Sequence, residues 1–110
     1  MNLQIQKETE GNKETLLLKG EVDAYTVPKL KDMLLSLAEQ EGQEIVVDLR
    51  GVQYMDSTGL GVFVGALKSS QQHRSSLKLT GMTDRVQRLF QITGLTDVMN
   101  IEQCTEGEAR

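Results

Sequence analysis

Ile45-Val46-Val47-Asp48-Leu49, followed closely by Tyr54-Met55-Asp56-Ser57-Thr58-Gly59-Leu60-Gly61-Val62-Phe63-Val64-Gly65, decides how this chain folds. The continuous apolar run Ile45-Val46-Val47 predicts a central strand over 44–49, covered on both faces. From Leu60 onward, Phe63, Val64 and Leu67 recur at helical spacing. A strand thus hands over to a helix, and a carboxylate and two hydroxyls, Asp56, Ser57 and Thr58, sit at the junction. Gly61 and Gly65 lie one turn apart, each costing a helix about 1 kcal/mol. Close packing of that helix against the sheet is the expected compensation.

Upstream, Leu3 and Ile5 alternate with polar residues, and Gly11-Asn12 offers a hairpin turn into Thr15-Leu16-Leu17-Leu18. Gly20 to Asp23 reads as a loop. Thr26 is the expected N-cap of a helix with Pro28 in its first turn and Val27, Leu30, Met33, Leu34, Leu37 and Ala38 at helical spacing, stopped by Gly42. Downstream, Ser69 to Ser75 reads as a loop and Leu77-Lys78-Leu79 as a strand. Thr83 caps a helix carrying Val86, Leu89 and Phe90, closed by Gly94, and Val98 and Ile101 suggest a last strand. Two strands followed by alternating helices and strands predict an α/β fold. Its sheet is mixed but mostly parallel, an N-terminal antiparallel hairpin forms the edge, and right-handed crossovers pack the helices against it. One domain is expected over 1–103, with a polar C-terminal tail over 104–110.

Composition narrows the function. A chain of 110 residues with 38% apolar and 25% charged residues is an ordinary globular domain with a real core. No apolar run reaches the roughly 20 residues of a membrane span, and the alternating N-terminus lacks the basic start of a signal peptide. The single cysteine, Cys104, forms no internal disulfide, which fits a cytoplasmic setting. A net charge of −4, without basic runs or tryptophan, argues against direct nucleic-acid binding.

Ser57 or Asp56 can be read simply as an N-cap, satisfying a free backbone amide. Ser57 can also be read as a hydroxyl displayed where the strands of an open α/β sheet end, the edge at which ligands gather. A phosphate there would meet unpaired amides and the positive end of the helix dipole, so the fold would survive modification while a docked partner would meet a dianion. A hydrolase is not indicated. The flanks of Ser57 do not form Gly-x-Ser-x-Gly, and the only histidine, His73, belongs at the far end of the helix. Asp48 reads as a residue satisfied by nearby backbone or by Arg50 rather than as a phospho-acceptor. No P-loop is present, and one cysteine with one histidine makes no zinc site, so neither metal nor cofactor is expected. Asp23 reads as a turn residue that a hairpin packed beside the 44–49 strand would bring to the same edge as Ser57. Leu60 is either core or a partly exposed anchor.

Gly20-Glu21-Val22-Asp23, Ile45 to Leu49 and Tyr54 to Gly61, continued by Leu77-Lys78-Leu79 and Val86 to Leu95, together resemble bacterial anti-sigma factor antagonists of the STAS domain class. The likeness is nearest to the branch serving the general-stress sigma factor, sigma-B, with the sporulation branch second. It implies a regulatory protein without catalysis. Its unphosphorylated form would bind an anti-sigma factor that is also a serine kinase, freeing the sigma factor. Phosphorylation at Ser57 would end that binding, and a PP2C-type phosphatase would restore it. The resemblance places Asp23, Asp56, Ser57, Thr58, Gly59 and Leu60 in or beside the docking surface. A STAS scaffold or ligand-binding module of another signalling system is the alternative, and a small enzyme acting through Ser57 or Asp48 the more distant one.

Overall fold

The computed structural model describes residues 2–94 and 100–102. Its first two strands, β1 (Leu3–Glu10) and β2 (Lys13–Val22), pair antiparallel from Glu10 opposite Lys13 to Leu3 opposite Gly20. The loop between them is the expected Gly11-Asn12, with Gly11 at φ +61°, a value that a two-residue hairpin turn demands and glycine adopts freely. Both strands outrun their apolar signatures. Lys7 to Glu10 carry no apolar signal, but an edge strand needs only backbone pairing, and its side chains are free to be polar.

The segment read as a loop over 20–23 is mostly strand. β2 runs on to Val22, which is fully buried. The pairing of β2 with the next strand slips between Gly20 and Glu21, and Gly20 takes φ +121° there. A side chain at Gly20 would collide with the carbonyl of Asn2. The glycine that suggested a loop is therefore the residue that lets the strand bulge and continue.

Helix α1 (Val27–Ala38) and strand β3 (Glu44–Met55) follow. β3 is twice as long as the apolar run suggested, because Lys19 to Val22 pair with Gly51 to Met55 and hold the polar half of the strand in the sheet. Next come helix α2 (Ser57–His73), strand β4 (Ser76–Thr80), helix α3 (Asp84–Ile92) and strand β5 (Asn100–Glu102). Of the expected loop over 69–75, the residues up to His73 form the last turn of α2, which Arg74 ends in a left-handed conformation. The polar residues of that turn lie on the solvent side, while Ser70 is buried with its hydroxyl donating to the Leu67 carbonyl at 2.7 Å. Thr83 caps α3 as expected, accepting from the Val86 amide at 3.3 Å. Of the suggested last strand, Ile101 lies in β5, whereas Val98 and the 104–110 tail fall outside the described residues.

The sheet order is β1-β2-β3-β4-β5, parallel except for β1. Strands laid down one after another in a single direction, all joined by right-handed crossovers, place their helices on one face. Accordingly α1 packs on α2, and α2 meets α3 through Phe63 and Phe90, whose ring centroids are 6.4 Å apart. Ile45, Val47 and Leu49 point into this core and are fully buried. The expectation that β3 is covered alike on both faces does not hold. Val46 is only half-buried, and Asp48, on the same face, is clamped by Arg50 through a 2.7 Å ion pair.

Gly61 and Gly65 also depart from expectation. Both are exposed, and a β-carbon on either would touch nothing within 4 Å. They do not bring the helix close to the sheet. Gly65→Ala should therefore stabilise the fold by up to about 1 kcal/mol, because alanine restricts the unfolded chain and favours helix at no steric cost. A thermal melt should rise by roughly 4–8 °C, and a fall would mean that the position is packed after all.

Candidate functional site

The parallel strands end together at one edge, where β2 turns into α1 and β3 into α2. Met55 stands opposite Val22, and the Asp56 amide donates to the Val22 carbonyl at 3.2 Å. Two loops distant in sequence are thereby stitched side by side.

Asp56, not Ser57, caps α2. Its backbone is extended (φ −107°, ψ −176°), its Oδ1 accepts from the Gly59 amide at 3.1 Å, and its carbonyl accepts the Leu60 amide at 3.0 Å. Ser57 is then the first helical residue, and its side chain is exposed. No hydrogen bond engages its hydroxyl among the described residues. The amides of Ser57 and Thr58 have no intrahelical acceptor, as at every helix start. A free hydroxyl thus belongs to the first residue, at the positive end of a helix of 17 residues whose first amides lack an intrahelical acceptor. An anion built on that hydroxyl is electrostatically welcome. Thr58 is exposed beside it.

Gly59 and Leu60, which the resemblance places in or beside the docking surface, are both buried. Leu60 is 7% exposed and belongs to the core, not to the surface. Gly59 is buried, and a β-carbon there would come within 2.6 Å of Val22 Cγ1 and 3.1 Å of the Val22 carbonyl. It is the glycine that permits close approach, seating the start of α2 against β2. These two residues position Ser57 from beneath and offer a partner no side-chain surface.

Asp23 reaches the same edge, as expected, and is 5% exposed. Thr26 does not use its side chain as a cap for α1. Asp23 Oδ1 accepts from the amides of Tyr25 and Thr26 at 2.9 and 3.1 Å, while the Thr26 hydroxyl accepts from the Asp23 amide and donates to the Glu21 carbonyl. The other carboxylate oxygen, Asp23 Oδ2, is buried without a partner. An unsatisfied buried acceptor is costly and invites a donor.

Asp48 and His73 lie away from this edge. Asp48 sits mid-strand, and both its oxygens are held by Arg50, whose Nε lies 3.1 Å from each and whose amide lies 3.0 Å from Oδ1. His73 ends α2, with Nδ1 2.8 Å from the Ser69 carbonyl, and α2 places it about 24 Å from Ser57. No cluster of three metal-ligating side chains occurs among the described residues, and no described helix is long and apolar enough to cross a membrane.

The tyrosines were missed by sequence reasoning. Tyr25 is 87% exposed and Tyr54 41% exposed. The signal was present: the chain has two tyrosines, and each lies two residues from a carboxylate of the site, Tyr25 after Asp23 and Tyr54 before Asp56. Exposed tyrosines are favoured anchors at protein interfaces.

A STAS domain family model matches residues 4–108. The chain belongs to the STAS domain family. This STAS domain is 50% identical over 109 residues to the anti-sigma-B factor antagonist of Listeria monocytogenes, covering 98% of the chain and 95% of that protein. It is 44% identical over 108 residues to the anti-sigma-B factor antagonist of Staphylococcus aureus, covering 98% and 100%. Among solved structures, the anti-sigma factor antagonist SpoIIAA in its unphosphorylated form superposes with a TM-score of 0.79 at 22% identity, covering 96% of this chain and 91% of that one. The phosphorylated form of the Bacillus cell fate determinant SpoIIAA gives a TM-score of 0.74 at 21% identity, covering 96% and 95%. At those identities the likeness concerns the fold: this STAS domain has the architecture that the α/β reading anticipated.

Proposed function

We propose that the chain is an anti-sigma factor antagonist of the sigma-B type, a regulatory binding protein rather than an enzyme. In its unphosphorylated form it binds an anti-sigma factor that is also a serine kinase, and so frees the sigma factor. Phosphorylation of Ser57 ends the binding, and a PP2C-type phosphatase renews it. The observation that carries this reading is the division of labour at the start of α2: Asp56 supplies the cap, which leaves the exposed Ser57 hydroxyl free to be modified. A phosphate on Ser57 would thus cost the fold no hydrogen bond. It would place about −1.5 to −2 charges in the middle of the docking edge.

The names of the Listeria and Staphylococcus relatives support the partner class, and their identity extends over nearly the whole chain. The contact surface is proposed to comprise Ser57, Thr58, Asp56 and the two tyrosines, with the buried Asp23 beside it. The test is incubation with the anti-sigma factor from the same genome and ATP, followed by intact-mass measurement and site mapping. One phosphoryl group on Ser57 is expected, with none added to Ser57→Ala. Modification elsewhere, or full incorporation into Ser57→Ala, would overturn the assignment.

A further inference from the structure

The large apolar side chains exposed among the described residues are Tyr25, Tyr54 and Ile92. The last two are neighbours in space. With Met55, Arg85, Arg88 and Leu89 they line a groove of about 290 Å3 between the end of β3 and α3. Ile92 is 76% exposed, far more than an isoleucine on an amphipathic helix needs to be when Val86 and Phe90 already bury the inner face. Arg85 and Arg88 are also exposed, and neither makes an ion pair among the described residues. Asp84 stands at the i,i+4 spacing that would suit Arg88, yet no bridge forms between them. The face therefore couples an apolar strip to two guanidinium groups without an ion pair among the described residues, on a chain whose formal net charge is −4. Tyrosine and arginine are the residues that most often anchor an interface.

The groove is continuous with the Ser57 edge. Tyr54 and Met55 are the last two residues of β3, and Asp56 and Ser57 follow directly. A partner centred on Ser57 that also touches Tyr25 on one flank has the β3–α3 groove on the other.

We propose that this groove is a second docking surface for the anti-sigma factor, taking an acidic amphipathic segment. Apolar side chains of that segment lie on Tyr54, Leu89 and Ile92, and its carboxylates pair with Arg85 and Arg88. The inference rests on the function proposed above and adds the chemistry of the partner segment. Because the groove's lining leaves Ser57 out, the groove contributes affinity and orientation, while the serine supplies the switch.

The test is the charge-reversed variant Arg85→Glu/Arg88→Glu, assayed for binding to the purified anti-sigma factor and as a substrate for its kinase activity. Arg85→Lys/Arg88→Lys serves as the charge-preserving control, and a thermal melt confirms folding. Truncated hot-spot residues commonly cost a factor of about ten or more each, so the reversed variant should bind at least about 30-fold more weakly. The KM for the antagonist should rise, kcat should be little changed, and the lysine variant should recover much of the binding. Ile92→Asp, on the exposed side of α3, should weaken binding in the same direction. If Ser57→Asp abolishes binding but the reversed variant binds within about twofold of wild type, the groove proposal falls while the proposed function stands. If kinase binding is normal and only dephosphorylation slows, the groove belongs to the phosphatase and the assignment is overturned. If neither Ser57→Asp nor the reversal affects binding, the functional reading itself has failed.

Discussion

Ser57→Asp is expected to lose capture of the anti-sigma factor while melting at or slightly above the wild-type temperature. The two halves of that result have one cause. At the first position of α2 the side chain faces the positive end of the helix dipole, where a carboxylate gains about 0.3–1 kcal/mol. The cap itself is made by Asp56 Oδ1 on the Gly59 amide and is left untouched. Across an interface the same charge is unfavourable. It stands beside Asp56 and would be desolvated under a partner without a counter-charge, at a cost of about 2–5 kcal/mol, which is roughly 30-fold to several-thousand-fold in affinity. A true phosphate carries more charge and should act more strongly. Ser57→Ala removes only an unbonded, exposed hydroxyl and should bind as wild type. Calorimetric titration of the three proteins against the anti-sigma factor, beside their melts, checks both halves. Normal binding by a folded Ser57→Asp would sink the switch.

Phe63→Ala carries the largest expected effect on stability. Phe63 is fully buried on the inner face of α2, with its ring tilted 51° to that of Phe90 on α3. Truncating such a side chain costs about 3–5 kcal/mol, out of a total that for a domain of this size is about 5–15 kcal/mol. The midpoint should drop by roughly 15 °C or more, and urea unfolding should show the same loss with an unchanged slope. This ring pair joins α2, whose first turn holds Ser57, to α3, which carries Arg85 and Arg88. A loss under about 1 kcal/mol would mean that the seam between these helices is not tightly packed.

The hydroxyl at Ser57, the alternation of strands and helices, the presence of a cap at Asp56 or Ser57 and the cap at Thr83 were legible in the chain because each is a local feature. Apolar spacing reports which side of an element is buried, and a short polar side chain before a helical run reports a cap. The errors share a different cause. The far halves of β2 and β3 are polar or contain glycine, and only their pairing with each other keeps them extended. The last turn of α2 is polar because it faces water. In neither case does the residue type alone distinguish a solvated element from a loop.

By itself, then, the sequence determined the α/β class, the hairpin, the order of elements and the serine at the head of α2, since these follow from periodicity and short-range hydrogen bonding. Only the tertiary structure decided that Asp56 caps and Ser57 does not, and that Gly59 and Leu60 lie beneath the surface while Gly61 and Gly65 lie open. It alone set Tyr25, Tyr54, Arg85 and Arg88 around the same edge. Those outcomes depend on how β2 and β3 come to end side by side and on which face the crossovers cover, and no local pattern of residues encodes a neighbour that arrives from elsewhere in the chain.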